Sequence, residues 1–146
     1  MTNKEYQKYV DKMTPNSPIL KDTLLAFLFG GTICTIAQFI FNGYSMLDLK
    51  ETTVSMLTSS TMVFIGAFLT GLGIYDKIAK HAGAGTIVPI TGFANSVASP
   101  AIEFKSEGMV LGLAVKMFTV AGPVIVYGIT SGVVAGIIYY IKELLF

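Results

Sequence analysis

The chain has 146 residues, the size of one domain, with 53% hydrophobic and only 13% charged residues. Its net charge of +1 comes from ten lysines, with no arginine, against nine acidic residues. That excludes a dense basic face for nucleic acid, and it removes the side chain best suited to bidentate phosphate recognition. The charges gather at the N-terminus and in short patches between long apolar runs, the pattern of an all-α, polytopic membrane protein.

Residues 1–20 read as a polar cytoplasmic arm, in which Lys4, Glu5, Lys8, Val10 and Lys12 recur at near-helical spacing. Pro15 and Pro18 should close that helix, because proline lacks an amide hydrogen and clashes with the preceding turn. The membrane domain, 21–146, then opens with Leu24 to Phe41, eighteen uncharged residues. At about 1.5 Å per residue these make roughly 27 Å, just enough to span the hydrocarbon core. The run is too long for a cleaved signal and lacks a small-residue cleavage site behind it, so an uncleaved first span is expected. Cys34 within it is the one cysteine of the chain, which rules out a disulfide framework, and it reads as a small buried apolar residue.

A polar loop from Asp48 to Thr53 leads to a second uncharged run, Val54 to Tyr75, stopped by Asp76, Lys77, Lys80 and His81. His81 beside Lys80 and Asp76 reads as a solvated stop signal. The stretch AGAGTIVPITGFANSVASP, Ala82 to Pro100, carries no charge but holds three glycines and two prolines, residues that break membrane helices. Pro89 and Gly92 are its expected hinge. From Phe93 an amphipathic helix is expected, with Phe93, Val97, Ala101 and Phe104 on one face and Asn95, Ser96, Ser99, Glu103 and Glu107 towards the other. The broken segment, 82–117, either crosses, re-enters or lies along the interface, so the chain has three or four transmembrane helices.

Met109 to Ile141 contains one charge, Lys116, and at about 1.5 Å per residue would reach roughly 50 Å. The pair Gly122 and Pro123 is the expected divider, which makes 118–141 the last span. Lys116 is either a functional intramembrane charge or a snorkelling side chain. Gly128, Gly132 and Gly136 fall on one face of the last span and should support close helix packing, within the chain or between subunits. Small and hydroxylated stripes, Gly31, Thr35, Gln38 and Asn42 in the first span and Ser55, Ser59, Gly66, Thr70 and Gly73 in the second, should mark faces that meet protein or water. Gln38, the most polar side chain inside a span, should face inward. Lysine counts place the N-terminus in the cytoplasm.

The arm EYQKYVDKMTPNSPILKD, the first span AFLFGGTICTIAQ, the block GAGTIVPITGFANSVASPAIEFKSEG and the glycine-rich last span together resemble the SpoVAC/SpoVAEb family of sporulation membrane proteins. The resemblance covers nearly the whole chain. It implies a multi-pass protein of the inner membrane of the forespore and spore in endospore-forming Firmicutes. It further implies a channel-like, tension-responsive subunit of the SpoVA complex, which moves dipicolinic acid with calcium into the forming spore and out at germination, working with SpoVAEb and the cytosolic SpoVAD. No catalytic motif comes with it, and no cofactor or metal site is expected. An intramembrane enzyme would need a paired nucleophile and base, and Glu103 and His81 are the only candidates; no enzyme is expected. If the chain forms a homo- or hetero-oligomeric channel, Gln38, Asn95, Ser96, Ser99, Glu103 and Lys116 are the expected pore-lining or gating residues. The alternative is a non-conducting anchor that recruits SpoVAD and SpoVAEb.

Overall fold

The computed structural model describes residues 2–14 and 18–145, and among them every regular element is helical. Helix α1 (Asn3–Met13) is the predicted arm helix. Its first turn is held where the Thr2 amide donates to Glu5 Oε2 at 2.8 Å, satisfying one of the free donors of a helix start. Pro18 does not end α1, which stops at Met13, but caps the start of α2, whereas Pro15 lies outside the described residues.

Helix α2 (Ile19–Ser45) and helix α3 (Glu51–Gly71) contain the first two spans. A short loop joins them, so they run antiparallel, and Tyr44 hydroxyl meets Thr61 Oγ1 across the pair at 2.9 Å. The second span ends four residues earlier than expected. The helix stops at Gly71, the chain turns through Gly73 at φ 65, and Tyr75 starts a separate helix, α4 (Tyr75–Ala82). Positive φ is the usual way to close a helix C-terminus, and glycine adopts it without a Cβ clash.

A 3₁₀ turn (Gly83–Thr86) follows, then α5 (Ile90–Glu103), begun at Pro89 with extended backbone (ψ 152). After a turn through Lys105–Glu107 and Gly108, a π-helical segment (Met109–Ala114) runs directly into α6 (Val115–Leu145). The π character is visible where the Leu113 amide donates to the Gly108 carbonyl five residues back.

The expected division at Gly122 and Pro123 does not occur, because α6 is continuous through both. Pro123 forfeits one ladder bond, and the glycine before it has no Cβ to meet the proline ring, which removes part of the pre-proline clash. Met109–Leu145 is 37 residues, about 55 Å of helix, so its ends extend beyond a core of about 30 Å. Among the described residues three helices are therefore long and apolar enough to cross a membrane. At 14 residues, or about 21 Å, α5 is too short to be a fourth.

Candidate functional site

The segment between α3 and α6 is re-entrant in shape, rising along one candidate span and returning along another, and its neighbours show how. Lys80 and His81 share a hollow with Asp22 and Thr23, near the start of α2. Gly85 lies against Ala26 and Gly30, and Val88 and Pro89 lie against a hollow that reaches Cys34. The chain thus climbs along α2 from the level of Ala26 to that of Cys34, about 12 Å. It then descends along α3: Thr91 packs on Gly66, and Asn95 meets Thr70. Because residue numbers rise together in α3 and α5, the two helices are parallel, and α5 leaves on the side where α3 ended.

Two glycines make the climb possible. A Cβ on Gly85 would collide with the Ala26 backbone, and one on Gly92 would collide with the Thr86 carbonyl. Gly92 is therefore a contact residue in the first turn of α5, while the bend itself is at Pro89.

A buried polar network closes the segment. Tyr75, only 3% exposed, donates from its hydroxyl towards the Thr86 carbonyl at 3.1 Å and Thr91 Oγ1 at 3.0 Å. Thr86 Oγ1 donates to the Gly83 carbonyl at 3.0 Å. Thr70 hydroxyl lies 2.7 Å from the Gly66 carbonyl and 2.9 Å from Asn95 Oδ1, sharing its proton between them. Among the described residues no buried side-chain polar atom lacks a partner. At membrane depth that completeness matters, since an unsatisfied polar group there costs several kcal/mol.

Asn95 is thus brought into this network. Ser96 is half-buried beside it, with its hydroxyl donating to the Phe93 carbonyl at 2.8 Å, and Ser99 is half-buried on the same helix. Glu103 is exposed at the end of α5. Lys116 stands apart, its Nζ 4.4 Å from the centroid of the Phe104 ring at the turn into α6. Gln38 is also apart and does not face the interior of the protomer. Its side chain is exposed, and its amide donates to Asn42 Oδ1 one turn on, an intrahelical bond that partly satisfies both groups.

Other expected faces divide. Gly66 and Thr70 of the α3 stripe are buried under α5, but Ser55 and Ser59 are bare, because the re-entrant helix reaches only part of the way up α3. Cys34 is exposed, not buried, since the small residues Gly30 and Gly85 leave the wall beside it open. Gly128, Gly132 and Gly136 meet nothing within 4 Å, so they pack no helix of their own chain.

Sequence reasoning missed Tyr75, Thr86 and Thr91. Tyr75 had been assigned to the second span, yet Gly71 and Gly73 just before it are a helix-ending signal that could have detached it. Among the described residues no cluster of three His, Cys, Asp or Glu side chains could hold a metal ion.

Comparison with known proteins places this architecture. The family model for SpoVAC/SpoVAEB sporulation membrane proteins matches residues 22–138, from the start of α2 into the last turns of α6. The chain belongs to the SpoVAC/SpoVAEB family. Stage V sporulation protein AC of Bacillus subtilis (strain 168) is 47% identical over 146 residues, which cover 98% of this chain and 97% of that protein. No solved structure matches. The SpoVAC/SpoVAEB match begins at α2, beyond the arm helix, and takes in the whole re-entrant segment.

Proposed function

We propose that this SpoVAC/SpoVAEB protein is a subunit of an oligomeric, tension-gated channel that moves dipicolinic acid with calcium across the inner membrane of the forespore and spore. The observation that carries this is a break in regular helix packed against the candidate spans α2 and α3 and held by hydroxyl and amide groups. Irregular backbone at membrane depth is tolerated only where protein covers it or water reaches it. A small dianion needs such a hydrated, neutral or positive path, because burying its charge in lipid is prohibitive.

The hollows of one protomer are open clefts, so the path forms between copies or with a SpoVAEb paralogue. Exposed polar side chains on the spans, Gln38 and Asn42 on α2 with Ser55, Ser59 and Ser60 on α3, are suited to face it. Asn95, Ser96 and Ser99 line or gate it from the re-entrant helix. Glu103 and Lys116 act at its mouth. With the N-terminus in the cytoplasm, SpoVAD docks on that side.

The test is release of entrapped dipicolinate from liposomes on osmotic downshift. Release is expected from the purified protein or from its mixture with SpoVAEb, and silence of both would overturn the channel. A second function, a non-conducting anchor for SpoVAD, is favoured by one feature, the exposed α1 arm with Tyr6, Tyr9 and Met13 outward. An anchor would release nothing and would lose SpoVAD capture when the first eighteen residues are removed.

A further inference from the structure

Two hollows meet along the seam between α2 and the re-entrant segment, and they differ in chemistry. The lower, of about 500 Å³, is a polar mouth beside the start of α2, lined by Asp22, Thr23, Lys80 and His81. The upper, of about 330 Å³, is an apolar crevice whose walls include Phe27, Gly31, Cys34, Val88 and Pro89. Ala26 and Ala84 line both, so the two are continuous. From Ala26 to Cys34 the crevice rises about 12 Å, close to the depth of about 15 Å of one bilayer leaflet.

We infer that this seam is a binding site for one glycerophospholipid, with its phosphate in the mouth against Lys80 and His81 and one acyl chain in the crevice. His81 is oriented for this role: its Nδ1–H donates to the Lys77 carbonyl at 2.9 Å, which fixes the ring, and in the imidazolium form Nε2–H is left to donate to a phosphate oxygen. Lys80 supplies the fixed positive charge. Asp22, the one acid lining the mouth, is suited to the amine of a headgroup such as ethanolamine. The crevice opens sideways, since Phe27 and Val88 in its walls are exposed, so a chain enters from the bilayer without crossing the protein. Gly31 meets nothing within 4 Å, so its empty side belongs to the crevice and not to a helix contact. The site stands independently of conduction, because it requires only that the chain sit in a bilayer.

The experiment is native mass spectrometry of the full chain in mild detergent with added phosphatidylethanolamine or phosphatidylglycerol. Wild type is expected to retain about one lipid per chain. Replacing Lys80→Gln and His81→Gln together should weaken retention about tenfold, the loss of one or more charge-assisted contacts. Gly31→Leu, which fills the crevice from α2, should abolish it while helicity and elution volume stay unchanged. Should Gly31→Leu misfold, Cys34 gives a second readout. A short-chain phospholipid should slow alkylation of this native cysteine in wild type, and inorganic phosphate should not. Equal retention by all variants, or equal protection of Cys34 by inorganic phosphate, would overturn the site.

Discussion

The hydroxyl of Tyr75 lies 3.0 Å from Oγ1 of Thr91, sixteen residues further on, and this contact ties the two arms of the re-entrant segment together. The same hydroxyl reaches the Thr86 carbonyl, so one side chain fixes both the 3₁₀ turn and the first turn of α5. Tyr75→Phe keeps the ring and strands two buried partners. It should cost about 1–3 kcal/mol of stability in detergent. Tyr139→Phe, on an exposed face of α6, should change nothing measurable by the same thermal unfolding.

Gly85 and Gly31 are both glycines near the seam, yet they should respond oppositely to a methyl group. Gly85→Ala drives a Cβ into the Ala26 backbone, which cannot yield without moving α2, so a loss of about 1–3 kcal/mol or more is expected. Gly31→Ala meets open space and should be neutral in the unfolding assay. In liposomes Gly85→Ala should also lower dipicolinate release, because the climb along α2 is displaced.

The ridge of Gly128, Gly132 and Gly136 has no partner in its own chain. Gly132→Leu should therefore leave the protomer's helicity intact and reduce the size of the complex on native gels, since lipid-embedded helices associate through close contact at small residues. A complex of normal size would show that the ridge faces lipid.

If α2, α3 and α6 each cross once and the segment between α3 and α6 returns to its own side, α1 and the end of α6 lie on opposite faces. In a Cys34→Ala background, Lys12→Cys and Lys105→Cys should react with an impermeant maleimide from one side, and Glu143→Cys from the other. Labelling of Lys12→Cys and Lys105→Cys from opposite sides would mean that α5 crosses.

Glu5 is held below the ordinary carboxyl value of 4.5 by the Thr2 backbone amide, then by the Thr2 hydroxyl, with desolvation opposing. A lowered folded pKa stabilises α1 above the unfolded value, and the stabilisation is lost as pH falls through the folded one. Helical chemical shifts at the start of α1 should therefore weaken on acidification below about pH 4.5, and Glu5→Gln should remove that dependence.

Much of this was legible in the chain itself. Long uncharged runs specified α2, α3 and α6, because apolar length against hydrocarbon thickness is a property of sequence alone. The breakers between Ala82 and Pro100 marked the segment that could not be an ordinary span, and Pro89 marked its bend. Gly122 and Pro123 misled, because a proline need not divide a helix, and α6 runs on through it with a glycine before it that removes part of the local clash.

What only the tertiary structure decided is where the broken segment goes. Breakers state that backbone groups are freed, not which partners receive them. The partners here are Tyr75, Thr86, Thr91 and the Thr70–Asn95 pair, from residues up to 25 positions apart. The glycines that let the backbone in, Gly30 and Gly66, belong to other helices. Such contacts depend on two elements meeting, and periodicity within one element holds no record of that.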